Sequence, residues 1–223
     1  MINPTKASYS MAPTMVVCAL AGYLTARFFS GQPRRRLMLA GLIGLLIGLA
    51  VNFRLPNLFL SAGYFAFFFV SFLISRKAET FLQGALFGAA FLVGIAPTLL
   101  ANAINAGSPF RTTYGGVDVT PPDLSFSVIW QYVADMQFVL LVLAAAWTIW
   151  ALRSRSWSAA RQVALVTAGN LLVNLAFFMS HPIFTPYYTI PVAMLSLWSL
   201  LFAFLMRPAE AGDGGLAGQA AKA

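Results

Sequence analysis

Acidic side chains are nearly missing from this chain: six Asp and Glu stand among 223 residues, and none precedes Glu79. Charged residues of both signs make up 9% of the sequence, against roughly a quarter in soluble domains, while 60% of it is hydrophobic. That balance excludes a soluble globular domain and points to a polytopic membrane protein. Cysteine occurs once, at Cys18, which excludes an internal disulfide and a cysteine-based zinc site and reads as a packing residue in an apolar run. Histidine also occurs once, at His181, and one imidazole cannot build a metal site alone. The nucleophile elbow, the phosphate-binding glycine loop and the HExxH pattern are absent. Paired charges inside several apolar runs are absent too, which argues against an ion-coupled transporter.

What the chain has is apolar runs. A bilayer core needs about 17 to 25 mostly apolar residues per helix, and seven stretches are candidates: Met11–Phe29, Leu37–Phe53, Asn57–Ile74, Phe81–Ala101, Val128–Leu152, Val163–Ser180 and Thr189–Met206. The expected fold is therefore all-α, a transmembrane bundle of about seven spans over residues 1–207. The Gly- and Ala-rich tail, 208–223, reads as disordered and cytoplasmic. A signal peptide competes for the first stretch, but Lys6 alone precedes it and no small-x-small cleavage pattern closes it, so a retained span is preferred. Gly44 and Gly48 have the spacing of a close-packing helix face. Phe65, Phe67, Phe68, Phe69 and Phe72 form a stripe for lipid or neighbouring helices, and Pro97 predicts a kink. Asn170 and Asn174, four residues apart, are placed to hydrogen-bond a partner helix.

The formal charge of +8 suggests an anionic partner, but the basic residues sit singly or in short clusters at the ends of apolar runs. Lipid headgroups are their counterions, and with no basic domain outside the apolar runs no nucleic-acid partner is expected. Placing Arg27, Arg34–Arg36, Arg76, Lys77, Arg153, Arg155, Arg161, Arg207 and Lys222 in the cytoplasm leaves only Lys6, Arg54 and Arg111 outside. With seven spans the N-terminus is then outside and the C-terminus cytoplasmic. One outer face collects the polar island 102–127, the Arg54 turn and the His181–Tyr188 turn.

That face holds the residues with chemistry. Arg54 and Arg111 are candidate phosphate ligands, since a guanidinium pairs with phosphate through a bidentate fork; the bland alternatives are snorkelling to headgroups for Arg54 and solvation for Arg111. Asp135, read as two turns inside the fifth span, is costly there unless paired or near water, which makes it a site candidate or a partner for an outer arginine. His181 fits a structural role at the interface as well as proton transfer.

Three stretches resemble a known family. They are Arg35–Arg54, the run Pro97-Thr-Leu-Leu-Ala-Asn-Ala-Ile-Asn-Ala-Gly-Ser-Pro-Phe-Arg-Thr-Thr-Tyr-Gly, and His181-Pro-Ile-Phe-Thr-Pro-Tyr-Tyr188-Thr-Ile-Pro191. Together they resemble the carboxy-terminal membrane part of GT-C type glycosyltransferases, the mannosyltransferase and aminoarabinose-transferase relatives that use a polyprenyl-phosphate sugar donor at the outer face of the bacterial inner membrane. The resemblance implies that Arg54 and Arg111 stabilise charge on the leaving lipid phosphate, with Tyr114, His181 and Tyr188 lining the pocket and Asp118, Asp123 and Asp135 as substitute acids. No cofactor is implied, and a divalent metal is left open. Two departures stand out. Family members carry an essential acid in a first outer loop upstream of the matched helices, whereas this chain has none before Glu79, and Tyr187 occupies the place of a family arginine. The expectation is a chain incomplete or inactive alone: a truncated frame, a half that needs a separate amino-terminal partner, or an inactive relative. The alternative is a non-catalytic membrane subunit or scaffold that binds an isoprenoid lipid or partner helices.

Overall fold

A computed structural model describes residues 5–31, 35–111, 123–136, 138–153, 159–178 and 186–206, and every regular element among them is helical. The order is α1 (Thr5–Ser30), α2 (Arg36–Phe53), a 3-10 turn (Leu55–Ser61), α3 (Ala62–Ser75), α4 (Ala78–Ala106), α5 (Phe126–Val133), α6 (Phe138–Leu152), α7 (Ala159–Phe178), a second 3-10 turn (Pro186–Thr189) and α8 (Ile190–Leu205). The long helices run alternately up and down, so that α2 is parallel to α4, with Gly44 against Phe87 and Gly48 against Phe91, and α1 to α8, with Cys18 against Pro191 and Tyr23 against Phe202. α2 packs most extensively on α4, α1 lies against α8 and α2, and α7 touches α1, α3, α6 and α8.

Among the described residues five helical stretches are long and apolar enough to cross a membrane, or six if α5 and α6 are one broken span. The expected fifth span is not continuous, because α5 and α6 meet at 88°. The expected seventh corresponds to α8, an apolar helix of 16 residues entered directly from the second 3-10 turn. The polar island also shrinks: α4 continues to Ala106, where Gly107 ends it in the left-handed conformation at φ 74°, and α5 begins at Phe126. Asn102–Ala106 thus belongs to a helix, since nothing in Ala-Asn-Ala-Ile-Asn-Ala breaks one before the glycine. The tail 208–223 lies outside the described residues.

Apolar side chains cover much of the outside of this bundle, with Phe81, Leu82, Leu92, Val93, Leu100 and Ile104 of α4 and Phe69 and Ile74 of α3 all exposed. Water would not tolerate so continuous a patch; lipid does. Lipid, however, gives helices no hydrophobic reason to associate, so close packing and polar contacts must hold them together. The α2–α4 seam does this with glycine, as the spacing of Gly44 and Gly48 predicts. A Cβ on Gly44 would overlap the Phe87 carbonyl oxygen, and one on Gly48 the Phe91 carbonyl oxygen. Gly63 and Gly169 bring α3 and α7 equally close. There Asn170 Oδ1 accepts a hydrogen bond from Gly63 N at 2.7 Å, while Asn174 Nδ2 donates to Asn170 O in its own helix at 2.9 Å. The phenylalanine stripe divides as expected: Phe65 and Phe68 pack edge-on or tilted against Phe87, Phe67 meets Phe29, and Phe69 faces out.

Pro97 lacks an amide hydrogen and disturbs the turn before it. Asn52 of α2 compensates. Its Nδ2 donates to Gly94 O at 2.7 Å, and its Oδ1 accepts from Thr98 N at 2.9 Å and Thr98 Oγ1 at 2.6 Å. In an unbroken helix Thr98 N and Gly94 O would pair with each other. A side-chain amide from the next helix here satisfies both, as a helix in lipid requires where its own ladder is weakened.

Candidate functional site

The two ends of the bundle differ in charge. Among the described residues, Arg27, Arg35, Arg36, Arg76, Lys77, Arg153 and Arg161 lie at the end where α1, α3, α6 and α8 finish; Arg54 and Arg111 lie at the other. Arg54 stands between α2 and the 3-10 turn with an extended backbone, φ −156° and ψ 125°. Asn57 builds that turn. Its backbone N donates to Arg54 O at 3.0 Å, and its side chain donates to Ala50 O at 2.8 Å and to Thr14 Oγ1 at 3.3 Å. The buried amide thereby closes the end of α2 and ties it to α1.

The Arg54 guanidinium rests over the Tyr188 ring, 4.5 Å from its centroid, with Nη1 3.0 Å from Met11 Sδ. Tyr188 stacks on Phe178 at 5.6 Å and 13°, and Phe178 contacts Phe59 and Phe177 edge-on. Val128 and Tyr132 of α5 complete the cluster from the side. Arg54 is therefore held by an aromatic floor. A cation–π contact of this kind contributes about 0.5–2 kcal/mol. It engages the face of the guanidinium, whereas a phosphate is bound by the in-plane N–H donors, so one arginine can do both.

Tyr132 belongs to α5, which crosses the end of the bundle outside the long helices. Burial, and secondarily the neighbouring Tyr188, push its phenol up to about 12. It is a neutral hydrogen-bonding group at ordinary pH and is unsuited to act as a base.

The other expected site residues are distributed differently. Asp135 is not two turns inside a span but at the corner between α5 and α6, where its backbone N donates to Tyr132 O and its O accepts from Phe138 N. The corner leaves the carboxylate half-buried. Asp123 is exposed, and its Oδ1 accepts from Ser125 N at 2.8 Å, committing it to the turn that starts α5. Arg111 is exposed beyond the end of α4. Tyr114, Asp118 and His181 lie outside the described residues. Thus Arg54 and Tyr188 are brought together, while Arg111 and Asp123 are each on exposed turns. Sequence reading missed Met11, Asn57, Phe178 and Tyr132; of these only Asn57, an amide beside Pro56 at a helix junction, carried a local signal. Among the described residues no three His, Cys, Asp or Glu side chains cluster so as to hold a metal ion.

Comparison with models of known families, with characterised proteins and with solved structures finds no match for this chain.

Proposed function

We propose that this chain is a multi-pass protein of a bacterial inner membrane, with its arginine-rich end in the cytoplasm and its N-terminus and Arg54 end outside. We further propose that the Arg54 end binds the phosphate of a polyprenyl-phosphate-linked sugar in a glycosyltransferase-like reaction. The orientation rests on the unequal division of cations between the two ends. The observation that carries the site is Arg54 itself: a guanidinium at the cation-poor end, held 4.5 Å over Tyr188 by a buried, hydrogen-bonded turn.

In such a transfer a carboxylate deprotonates the acceptor hydroxyl, the oxygen attacks the anomeric carbon, and the lipid phosphate leaves. Negative charge gathers on that phosphate as the bond breaks, and a pre-positioned guanidinium lowers the barrier. Arg54 supplies this charge, and Tyr188 keeps it in place. Asp135 is the described carboxylate nearest in sequence to Tyr132 and the aromatic floor, and is the candidate base. A second reading, a non-catalytic subunit that binds the isoprenoid lipid, is favoured by Asp123, whose carboxylate is occupied by the Ser125 amide.

The test is binding of the purified chain to a polyprenyl-phosphate sugar beside the same lipid without its phosphate, followed by a transfer assay on the same sample. Phosphate-dependent binding with turnover supports the transferase. Phosphate-dependent binding without turnover fits a transferase half that needs its amino-terminal partner as well as the lipid-binding subunit, and no preference for the phosphate removes Arg54 as a phosphate site.

A further inference from the structure

α5 has an unusual distribution of side chains. At about 100° per residue, taking Phe126 as zero, Trp130 and Val133 fall within about 40° of it, Val128 and Tyr132 at about 200–240°, and Ser127 and Gln131 at about 100–140°. Val128 and Tyr132 are buried against the end of the bundle. Phe126 and Trp130, stacked 6.1 Å apart, are 76% and 57% exposed, and Val133 is exposed beside them. Ser127 and Gln131 are exposed as well. The helix therefore has three sides: one on the protein, one polar, and one apolar edge without a described neighbour.

The bend decides what covers that edge. α6 begins 88° from α5, so if α6 follows the membrane normal, α5 lies in the membrane plane at the Arg54 end. α6 also exposes apolar side chains, at Val139, Val142 and Leu143. Aromatic side chains, tryptophan above all, favour this depth, where ring and headgroup meet. We infer that α5 is an interfacial helix: Phe126, Trp130 and Val133 are seated in the lipid leaflet at the Arg54 end, Ser127 and Gln131 face water, and Tyr132 is thereby held against the aromatic floor beneath Arg54. The partner is the lipid surface of the membrane the bundle crosses. The inference rests on the membrane placement of the bundle and not on phosphate binding.

Site-directed spin labelling tests it. In a Cys18→Ala background, single cysteines replace Phe126, Ser127, Trp130 and Gln131 in turn, with a cysteine at Leu92 as the reference for a lipid-facing mid-helix position, 60% exposed on α4. The labelled full-length chain is reconstituted in phosphatidylethanolamine–phosphatidylglycerol vesicles, and collision with oxygen, which partitions into lipid, is compared with collision with a water-soluble nickel chelate. The expected result is an oxygen-to-nickel ratio several-fold higher at 126 and 130 than at 127 and 131, approaching that at 92. Equal ratios at all four α5 positions, or labels at 126 and 130 shielded from both reagents, would overturn the interfacial helix, the latter in favour of a protein partner. A water-like ratio at 92 would overturn the membrane placement itself. The labels at 127 and 131 leave the apolar edge intact, so a folding defect at Phe126 or Trp130 does not remove the test: nickel shielding at both polar positions would also refute it.

Discussion

The two ends of this bundle are made of different materials. At the arginine-rich end the cations stand at helix ends: Arg27 and Arg35 are exposed, Arg76 caps α3 in a left-handed conformation at φ 53°, and Arg36 reaches over Phe28 at the longer distance of 6.0 Å. At the opposite end cations are few but placed, with Asn57 closing one helix onto the next and Arg54 resting on a stack of Tyr188 and Phe178. The first arrangement suits bulk attraction to headgroups, which tolerates many positions. The second suits one ligand in one place, because a fixed guanidinium loses less freedom on forming each bond.

Five substitutions sharpen that contrast, beginning with the seam that supports both ends. Gly48→Leu forces a side chain into the Phe91 carbonyl; it is expected to cost about 3 kcal/mol of stability in detergent unfolding, the upper part of the overpacking range. An unchanged midpoint would mean that α2 and α4 do not approach as described. Asn52→Leu removes the amide that serves Gly94 O and Thr98 N, and leaving those groups unpaired should cost about 2 kcal/mol. Its hydrogen exchange should rise around Thr98 and not around Phe87; a uniform rise would show a general loss of packing instead.

Arg54→Ala is expected to weaken polyprenyl-phosphate binding by about 1.5 kcal/mol, the lower value for a charge-assisted hydrogen bond. Arg153→Ala, at the other end, should leave it unchanged. Equal losses from both would reduce Arg54 to a headgroup contact and erase the difference between the ends. The smallest effect has the opposite sign. Arg76→Gly relieves a left-handed backbone that costs an ordinary residue about 1 kcal/mol, so the midpoint should rise slightly, and a fall would give the Arg76 side chain a structural role.

Legibility followed the range of each interaction. The phenylalanine stripe, the Gly44–Gly48 face and the Asn170–Asn174 pair were readable because a helix repeats its faces every few residues. The cation-poor end was readable from the loops alone. The aromatic floor was not, since Tyr188, Phe178, Phe59 and Tyr132 come from four separated segments and nothing local marks any of them as a partner of Arg54. Asp135 was misplaced for a related reason: hydropathy averages over a window, and Val128–Leu152 is apolar enough to hide the 88° corner that puts the carboxylate at the end of the bundle.

By itself, then, the amino-acid sequence determined that this chain is helical, apolar enough to cross a membrane several times, and unequal in charge between its two ends. Those properties are sums over neighbouring residues, and lipid leaves the backbone little choice but helix. Only the tertiary structure decided that Asn52 mends α4 at Pro97, that α5 turns across the end of the bundle, and that Arg54 sits on Tyr188. Each of these depends on contacts between segments tens of residues or more apart, where packing and hydrogen-bond geometry choose the partner and local composition does not.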